Sequence, residues 1–412
     1  MKPATTVPRP TVRRSTASRA GAAKAAKAAA AALPGQVVLA LQGGGALGAY
    51  QVGVYEAMHQ AGIEPDWVVG TSIGAINGAL IAGNPPERRL TRLRAFWDHV
   101  EQQIDVDGPF SSGPFAGLGW GNALANWATV AGGIPAFFKP NPSVLAGTQA
   151  NVGVDAAAYY DTGPLRETLS SLIDFDYLHE GSTRLTVGTV HVTSGALRYF
   201  DSREQRLTVD HVMASGALPP AFPAVRIEGE AYWDGGIYSN TPIEAVLDDR
   251  PRRDALIFAV NVWQPDGPEP QSIWKVMGRQ KEIQYASRTD SHIARQQQIH
   301  RLRHVIRELQ KQLPAKQRDA AEVKALTAWG CGTTMHVVRL LAPRLEGEDH
   351  TKAIDFTAGG VRARRDAGRA DAQAVIAQAP WQAPVDPLEG VVVHELPSSH
   401  DIREVPRRVA GR

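Results

Sequence analysis

The sequence predicts an α/β protein with a mainly parallel central sheet, and three observations carry that prediction. Two strand–turn–helix units follow in close succession at 37–61 and 67–82, further apolar strand-like runs stand at 185–192 and 255–262, and glycine-bearing turns occupy both points where a strand hands over to a helix. Successive strands that each lead into a helix are joined by crossovers, so they run parallel and present functional loops at their carboxyl ends.

The run Val37-Val38-Leu39-Ala40-Leu41 is apolar throughout and flanked by turn formers, the pattern of a buried strand. It ends in Gln42-Gly43-Gly44-Gly45-Ala46-Leu47-Gly48, after which 49–61 has helical spacing, with Val52, Val54, Tyr55 and Met58 available for one face. Trp67-Val68-Val69 is a short strand, Gly70-Thr71-Ser72-Ile73-Gly74 a sharp turn, and 75–82 a helix of small residues. From Asn84 to Tyr160 the regular pattern dissolves into aromatics separated by Gly and Pro, as in Pro109-Phe110, Phe115, Trp120, Trp127 and Pro135-Ala136-Phe137-Phe138. This stretch is read as an insertion that either fills a satellite core or covers a site as a lid. A strand at 185–192, a short helix at 210–217, a proline-rich loop at 219–225 and a last core strand at 255–262 follow.

Past Pro265 the character changes. Between Lys275 and Asp319 stand eleven basic residues against four acidic, and Ile299, Leu302, Ile306, Leu309 and Leu313 form one apolar helical stripe at 3,4,3,4 spacing. The stripe is expected to pack on the preceding domain or on another subunit, its basic opposite face being solvated or resting on an anionic surface. A strand at 333–341, a helix at 370–379 and a polar end from 398 complete the chain.

These shifts divide the 412 residues into a basic Ala/Lys-rich tail at 1–35, a catalytic-type α/β unit at 36–265 with its insertion at 84–160, and a mainly helical, basic C-terminal extension at 266–412. The tail holds seven basic residues and no acidic one, and lacks the apolar core of a secretory signal; it reads as a disordered tail, with a surface-binding arm or an organelle transit peptide as alternatives. Hydrophobic content of 43%, charged content of 21% and a net charge of only +2 suit a globular protein, and no run approaches the roughly 20 apolar residues of a membrane span. A cytoplasmic location is therefore expected, and nucleic acid is not an expected partner. The single cysteine, Cys331, rules out an intrachain disulfide framework and is read as structural.

Chemistry concentrates in three places. The pentapeptide Gly70-Thr71-Ser72-Ile73-Gly74 fits G-x-S-x-G, a corner that holds a serine strained at a sheet's edge and a helix N-terminus, with flanking glycines removing side chains that would clash. A serine hydroxyl is a weak nucleophile and needs a base and oxyanion donors. Gly43, Gly44 and Gly45, at a strand end before a helix, expose backbone N–H groups of the kind that each supply about 3 kcal/mol of barrier lowering. The same loop satisfies G-x-G-x-x-G through Gly43, Gly45 and Gly48, the dinucleotide fingerprint, yet Asp66 precedes the second strand instead of closing it, which weakens that reading. For the base, the strongest local signal is Trp233-Asp234-Gly235-Gly236, a carboxylate before two permissive residues, although Asp-Gly is also an ordinary turn dipeptide.

In chain order, the glycine loop, the serine turn, the run Ala214-Ser215-Gly216-Ala217-Leu218-Pro219-Pro220-Ala221-Phe222-Pro223 and the Asp234 turn resemble the patatin-like phospholipases, over about 37–262. The resemblance implies a three-layer α/β/α fold, a Ser72–Asp234 dyad with the oxyanion hole at Gly43 to Gly45, and no metal or cofactor. It implies an ester hydrolase acting on phospholipid or acylglycerol, with peripheral contact at a membrane or granule surface; hydrolysis of a storage polyester and non-catalytic lipid binding are the alternatives. One departure stands out: many members carry Arg or Lys where this chain has Leu47, which leaves the charge of the substrate in doubt. A histidine-based triad through His191 or His211 is the mechanistic alternative. The stretch 279–288 resembles the extension of a bacterial subgroup of the same family. Oligomeric state is not legible.

Overall fold

The computed structural model describes residues 33–101, 132–345, 348 and 350–395. Residues 1–32 of the tail, Phe110, Phe115, Trp120 and Trp127 of the insertion, and the polar end from 398 lie outside them. The strands are β1 (Gln36–Leu41), β2 (Trp67–Thr71), β3 (Lys139–Pro140), β4 (Tyr160–Asp161), β5 (Arg184–His191), β6 (Leu197–Asp201), β7 (Val225–Ile227), β8 (Glu230–Asp234), β9 (Ala255–Asn261), β10 (Met335–Leu341) and β11 (Val391–Glu395). The principal helices are α1 (Ala49–Gln60), α2 (Ile73–Ala82), α3 (Pro86–Val100), α4 (Gly163–Leu172), α5 (Val209–Ser215), α6 (Ile243–Leu247), α7 (Ile273–Gln312) and α8 (Ala358–Gln378).

The central sheet runs β11-β10-β9-β1-β2-β5-β8-β7, with β6 also on β5, while β3 and β4 make a separate ribbon. From β11 to β5 every pairing is parallel; β6, β7 and β8 are antiparallel additions. Alternate residues of a strand face opposite sides. Val37, Leu39 and Leu41 of β1 therefore enter the larger core with α1, α2, α3 and α8, and Val38 and Ala40 enter a second core with Ile243, Val246, Leu247 and Ile293. Both faces being covered, β1 reads as an unbroken apolar run. The result is the expected three-layer α/β/α architecture.

The C-terminal region shares this core. β10 pairs with β9 and β11 with β10, widening the same parallel sheet. Helix α8 crosses α1 at two glycines: a Cβ on Gly53 would lie 1.9 Å from the Arg365 carbonyl oxygen, and one on Gly368 2.0 Å from that of Tyr50. The Tyr50 hydroxyl donates to Asp371 at 2.9 Å beside the crossing.

Two expectations are corrected. The buried side of α7 is the polar series Thr289, Gln296, His300 and His304 with Ala286 and Ile293, whereas Leu302 and Leu309 of the predicted stripe stay 64% and 57% exposed. Hydrogen bonds account for the difference: Gln296 donates to Asp248, and the His304 ring nitrogens lie 2.9 Å from the carbonyls of Pro387 and Thr333. Nor does regular structure end at Asn84, since α3 follows at once with Leu93, Phe96, Trp97 and Val100 buried along one face. In the described part of the insertion, Phe137 and Phe138 pack with Phe96, Phe222, Tyr160 and Phe356 and join the larger core.

Candidate active site

Sheet order brings the predicted serine and carboxylate to one edge. Ser72 follows Thr71, the last residue of β2, whose partner on β5 is Gly188; the next β5 residue, Thr189, faces Asp234 at the end of β8. One strand thus separates the two residues, and the Ser72 side chain is near enough to the Asp234 carboxyl to lower its proton affinity.

Ser72 is the strained corner of the turn, a non-glycine residue at φ 57° between β2 and α2. Such a conformation costs on the order of 1–3 kcal/mol and persists only where the surroundings impose it. Here Ser215 imposes it, accepting the Ser72 N–H at 3.1 Å and donating its own hydroxyl to the Gly188 carbonyl at 2.6 Å. The other motif glycines stand where backbones nearly touch: a Cβ on Gly70 would lie 2.3 Å from the Gly74 carbonyl oxygen, on Gly74 2.3 Å from that of Leu41, on Gly48 2.6 Å from Ile73, and on Gly235 2.5 Å from the Gly188 carbonyl oxygen.

Asp234 is only 1% exposed, and its carboxylate accepts the Gly236 N–H at 2.7 Å. Burial pushes the carboxyl up from 3.8 to about 7, against the lowering effect of the hydrogen bonds from Ser72 and Gly236. A carboxylate with that affinity accepts a proton far more readily than a solvated one, which suits it to general-base work at neutral pH.

The glycine loop lies against the serine, a Cβ on Gly43 falling 2.9 Å from that of Ser72. Its three amides are not equivalent. The Gly43 N–H donates to the Asn240 carbonyl at 3.1 Å. Among the described residues neither the Gly44 nor the Gly45 amide donates to a protein acceptor, and these two remain as donors. The Gly43 carbonyl is held from both sides, by Asn240 Nδ2 at 3.0 Å and Trp263 Nε1 at 2.8 Å. Beneath the loop, Gln42 is fully engaged: Oε1 accepts from the Val262 and Trp263 amides at 2.6 and 3.0 Å, and Nε2 donates to Thr241 and the Tyr285 carbonyl at 2.7 and 3.2 Å.

Neither candidate histidine joins this group. His191 contacts Ser194 and Glu230, and His211 contacts Gln205 and caps α5 through Thr208. Asp66 sits at the opposite end of β2, accepting the Val37 N–H at 2.8 Å, where no nucleotide on the glycine loop would meet it. Leu47 is buried in the larger core, so the position that carries a cation in many patatin-like proteins faces inward here. Asn240, Trp263 and Ser215 carry no local motif of their own; only Ser215 falls inside a stretch that the sequence singles out. A cavity of about 400 Å³ lined by Asp155, Asp161, Arg166 and Asp210 includes neither Ser72 nor Asp234. No group of three metal-ligating side chains stands among the described residues.

The model of the family described as patatin-like phospholipase matches residues 39–247, and a second, described as patatin phospholipase, matches 283–388. Patatin-like phospholipase domain-containing protein 7 of Rattus norvegicus is 36% identical over 96 residues, which are 22% of this chain and 7% of that protein. Lysophospholipase nte1 of Aspergillus terreus is 61% identical over 46 residues, 11% of this chain and 3% of that protein. The matches thus span less than a tenth of these curated relatives. Among solved structures, VipD from Legionella pneumophila aligns with a TM-score of 0.33 and 14% identity over 84% of this chain and 68% of that one.

Proposed function

Because the chain belongs to the patatin-like phospholipase family, we propose that it is a lipid acyl-ester hydrolase working through a Ser72–Asp234 dyad. The observation that carries this reading is the convergence of Ser72 and the buried Asp234 carboxyl at one edge of the sheet, a single strand apart, with both candidate histidines engaged elsewhere. Asp234 takes the Ser72 proton as Oγ attacks the ester carbonyl, and the Gly44 and Gly45 amides receive the oxyanion. Collapse of the tetrahedral intermediate expels the alcohol, which takes a proton from Asp234 as it leaves. Water, deprotonated by the same carboxylate, then attacks the acyl-enzyme, and collapse frees the fatty acid as Asp234 returns the proton to Ser72 Oγ. No step requires a metal or a cofactor.

The substrate is proposed to be a phospholipid or an acylglycerol, and the names of the relatives, phospholipases and a lysophospholipase, favour the phospholipid. No helix among the described residues is long and apolar enough to cross a membrane, so contact with lipid is proposed to be peripheral. The catalytic unit is taken as 36–265, with the described residues between 266 and 395 folded onto it. The test is product analysis: fatty acid released from phospholipid or acylglycerol supports this reading. Release of hydroxy acid from polyhydroxybutyrate instead would move the substrate to a polyester, and release of neither would refute the hydrolase.

A further inference from the structure

Three consecutive glycines make a loop with little conformational preference of its own, so the direction of its amides depends on what surrounds it. Gly43 is clamped by Asn240 through both its N–H and its carbonyl, and Gly44 is walled by Val262 and Trp263. Gly45, at φ +56°, is walled from the C-terminal region: a Cβ there would lie 2.2 Å from the Ala353 carbonyl oxygen. Ala353 is the middle residue of the short turn Lys352–Ile354, and its neighbour Lys352 is buried.

Lys352 reaches Glu282 on α7, Nζ to Oε1 at 2.6 Å, and its ammonium lies 5.5 Å from the centroid of the Trp263 ring, whose Nε1 holds the Gly43 carbonyl. Glu282 also accepts from Arg279 and Arg344 at 3.1 and 3.0 Å, and these two guanidinium groups donate onward to the carbonyls of Pro265 and Asp266. Burial raises the Glu282 carboxyl, but its bond to Lys352 and the surrounding cations hold it below the ordinary range. A desolvated ion pair is a poor source of net stability. What this one does is fix, from outside the catalytic unit, the turn and the indole that bound the glycine loop.

We propose that the Lys352–Glu282 pair is a positioning element of the active site, through which the C-terminal region sets the direction of the Gly44 and Gly45 amides. The inference rests on the oxyanion role given to those amides above. Lys352 touches no reacting atom; its effect passes through Ala353 and Trp263. A displacement of about 1 Å in a catalytic group is worth up to roughly a hundredfold in rate.

The test is the steady-state kinetics of the full chain on a soluble p-nitrophenyl ester, with thermal unfolding measured alongside. In Lys352→Met, Glu282 keeps both arginine partners. The expected result is a fall in kcat of about tenfold or more with KM within about twofold, a parallel slowing of fluorophosphonate labelling, and recovery of most of kcat in Lys352→Arg. A folded Lys352→Met with unchanged kcat, or one whose only defect is a lower Tm, would overturn the proposal. If Lys352→Met does not fold, Trp263→Phe carries the test, because it keeps a smaller aromatic ring there and removes the bond to the Gly43 carbonyl; wild-type kcat in that variant would equally overturn it. Failure of the underlying reading looks different: a wild-type chain that neither turns over the ester nor labels at Ser72 removes both.

Discussion

Ser215 Oγ sits between two backbones that the candidate site must hold together, accepting the Ser72 amide at 3.1 Å and donating to the Gly188 carbonyl on the neighbouring strand at 2.6 Å. Ser215→Ala leaves a buried N–H and a buried carbonyl without that partner, at a cost of about 1–3 kcal/mol. We expect a lower Tm, and a kcat that falls while KM holds, because the strained serine corner relaxes; an unchanged Tm would show that Ser215 does not support the turn.

With Asp234 as the proposed base, activity and stability are expected to depend on pH in opposite senses. The base must be ionised, so kcat/KM should fall about tenfold for each unit of pH below about 7, the value to which burial raises its carboxyl. The unfolded residue titrates near 3.8 and the folded one near 7, so across that interval the folded chain holds the proton more tightly. Stability is therefore full below 3.8 and is lost as pH rises through about 7, by on the order of 4 kcal/mol. Asp234→Asn should then be inactive yet raise Tm at pH 8, with the gain vanishing near pH 4. Equal Tm values for the two proteins at pH 8 would contradict the buried-carboxylate picture.

His191→Ala should keep turnover within about twofold, since its ring contacts Ser194, Glu230 and Tyr232 and neither Ser72 nor Asp234. His211→Ala should cost about 1 kcal/mol through the lost cap on α5, again with kcat retained. A loss of kcat by a factor of a thousand in either would restore the triad.

A chain ended at residue 265 should not yield a soluble folded protein. It would bare the β9 edge that β10 covers and the face of α1 that α8 covers at Gly53 and Tyr50. Size-exclusion chromatography decides the point, and a monomeric, cooperatively unfolding product would show the catalytic unit to be self-sufficient.

The parts legible in the sequence were those written in local pattern. β1 and β2 announced themselves because a strand covered on both faces is apolar at every position, and the serine turn because a strained corner needs Gly70 and Gly74 beside it. Asp234 was legible only in combination, since Asp-Gly-Gly is an ordinary turn until a serine lies two strands away. The partner of the Gly43 amide, the Asn240 carbonyl, is not legible, because it is a backbone group nearly 200 residues on that no side-chain pattern marks. The buried face of α7 was misread for a related reason: it is polar and satisfied by distant partners, whereas the leucines at helical spacing face water. Helix α3 went unread because charged residues dominate its composition and hide the stripe of Leu93, Phe96, Trp97 and Val100.

The dyad itself is tested most directly by identifying the atom that a fluorophosphonate modifies. Peptide mapping by mass spectrometry after labelling of the native chain should find one adduct, on Ser72, absent from Ser72→Ala and formed much more slowly in Asp234→Asn. An adduct on any other residue, or full ester turnover by Ser72→Ala, would contradict it.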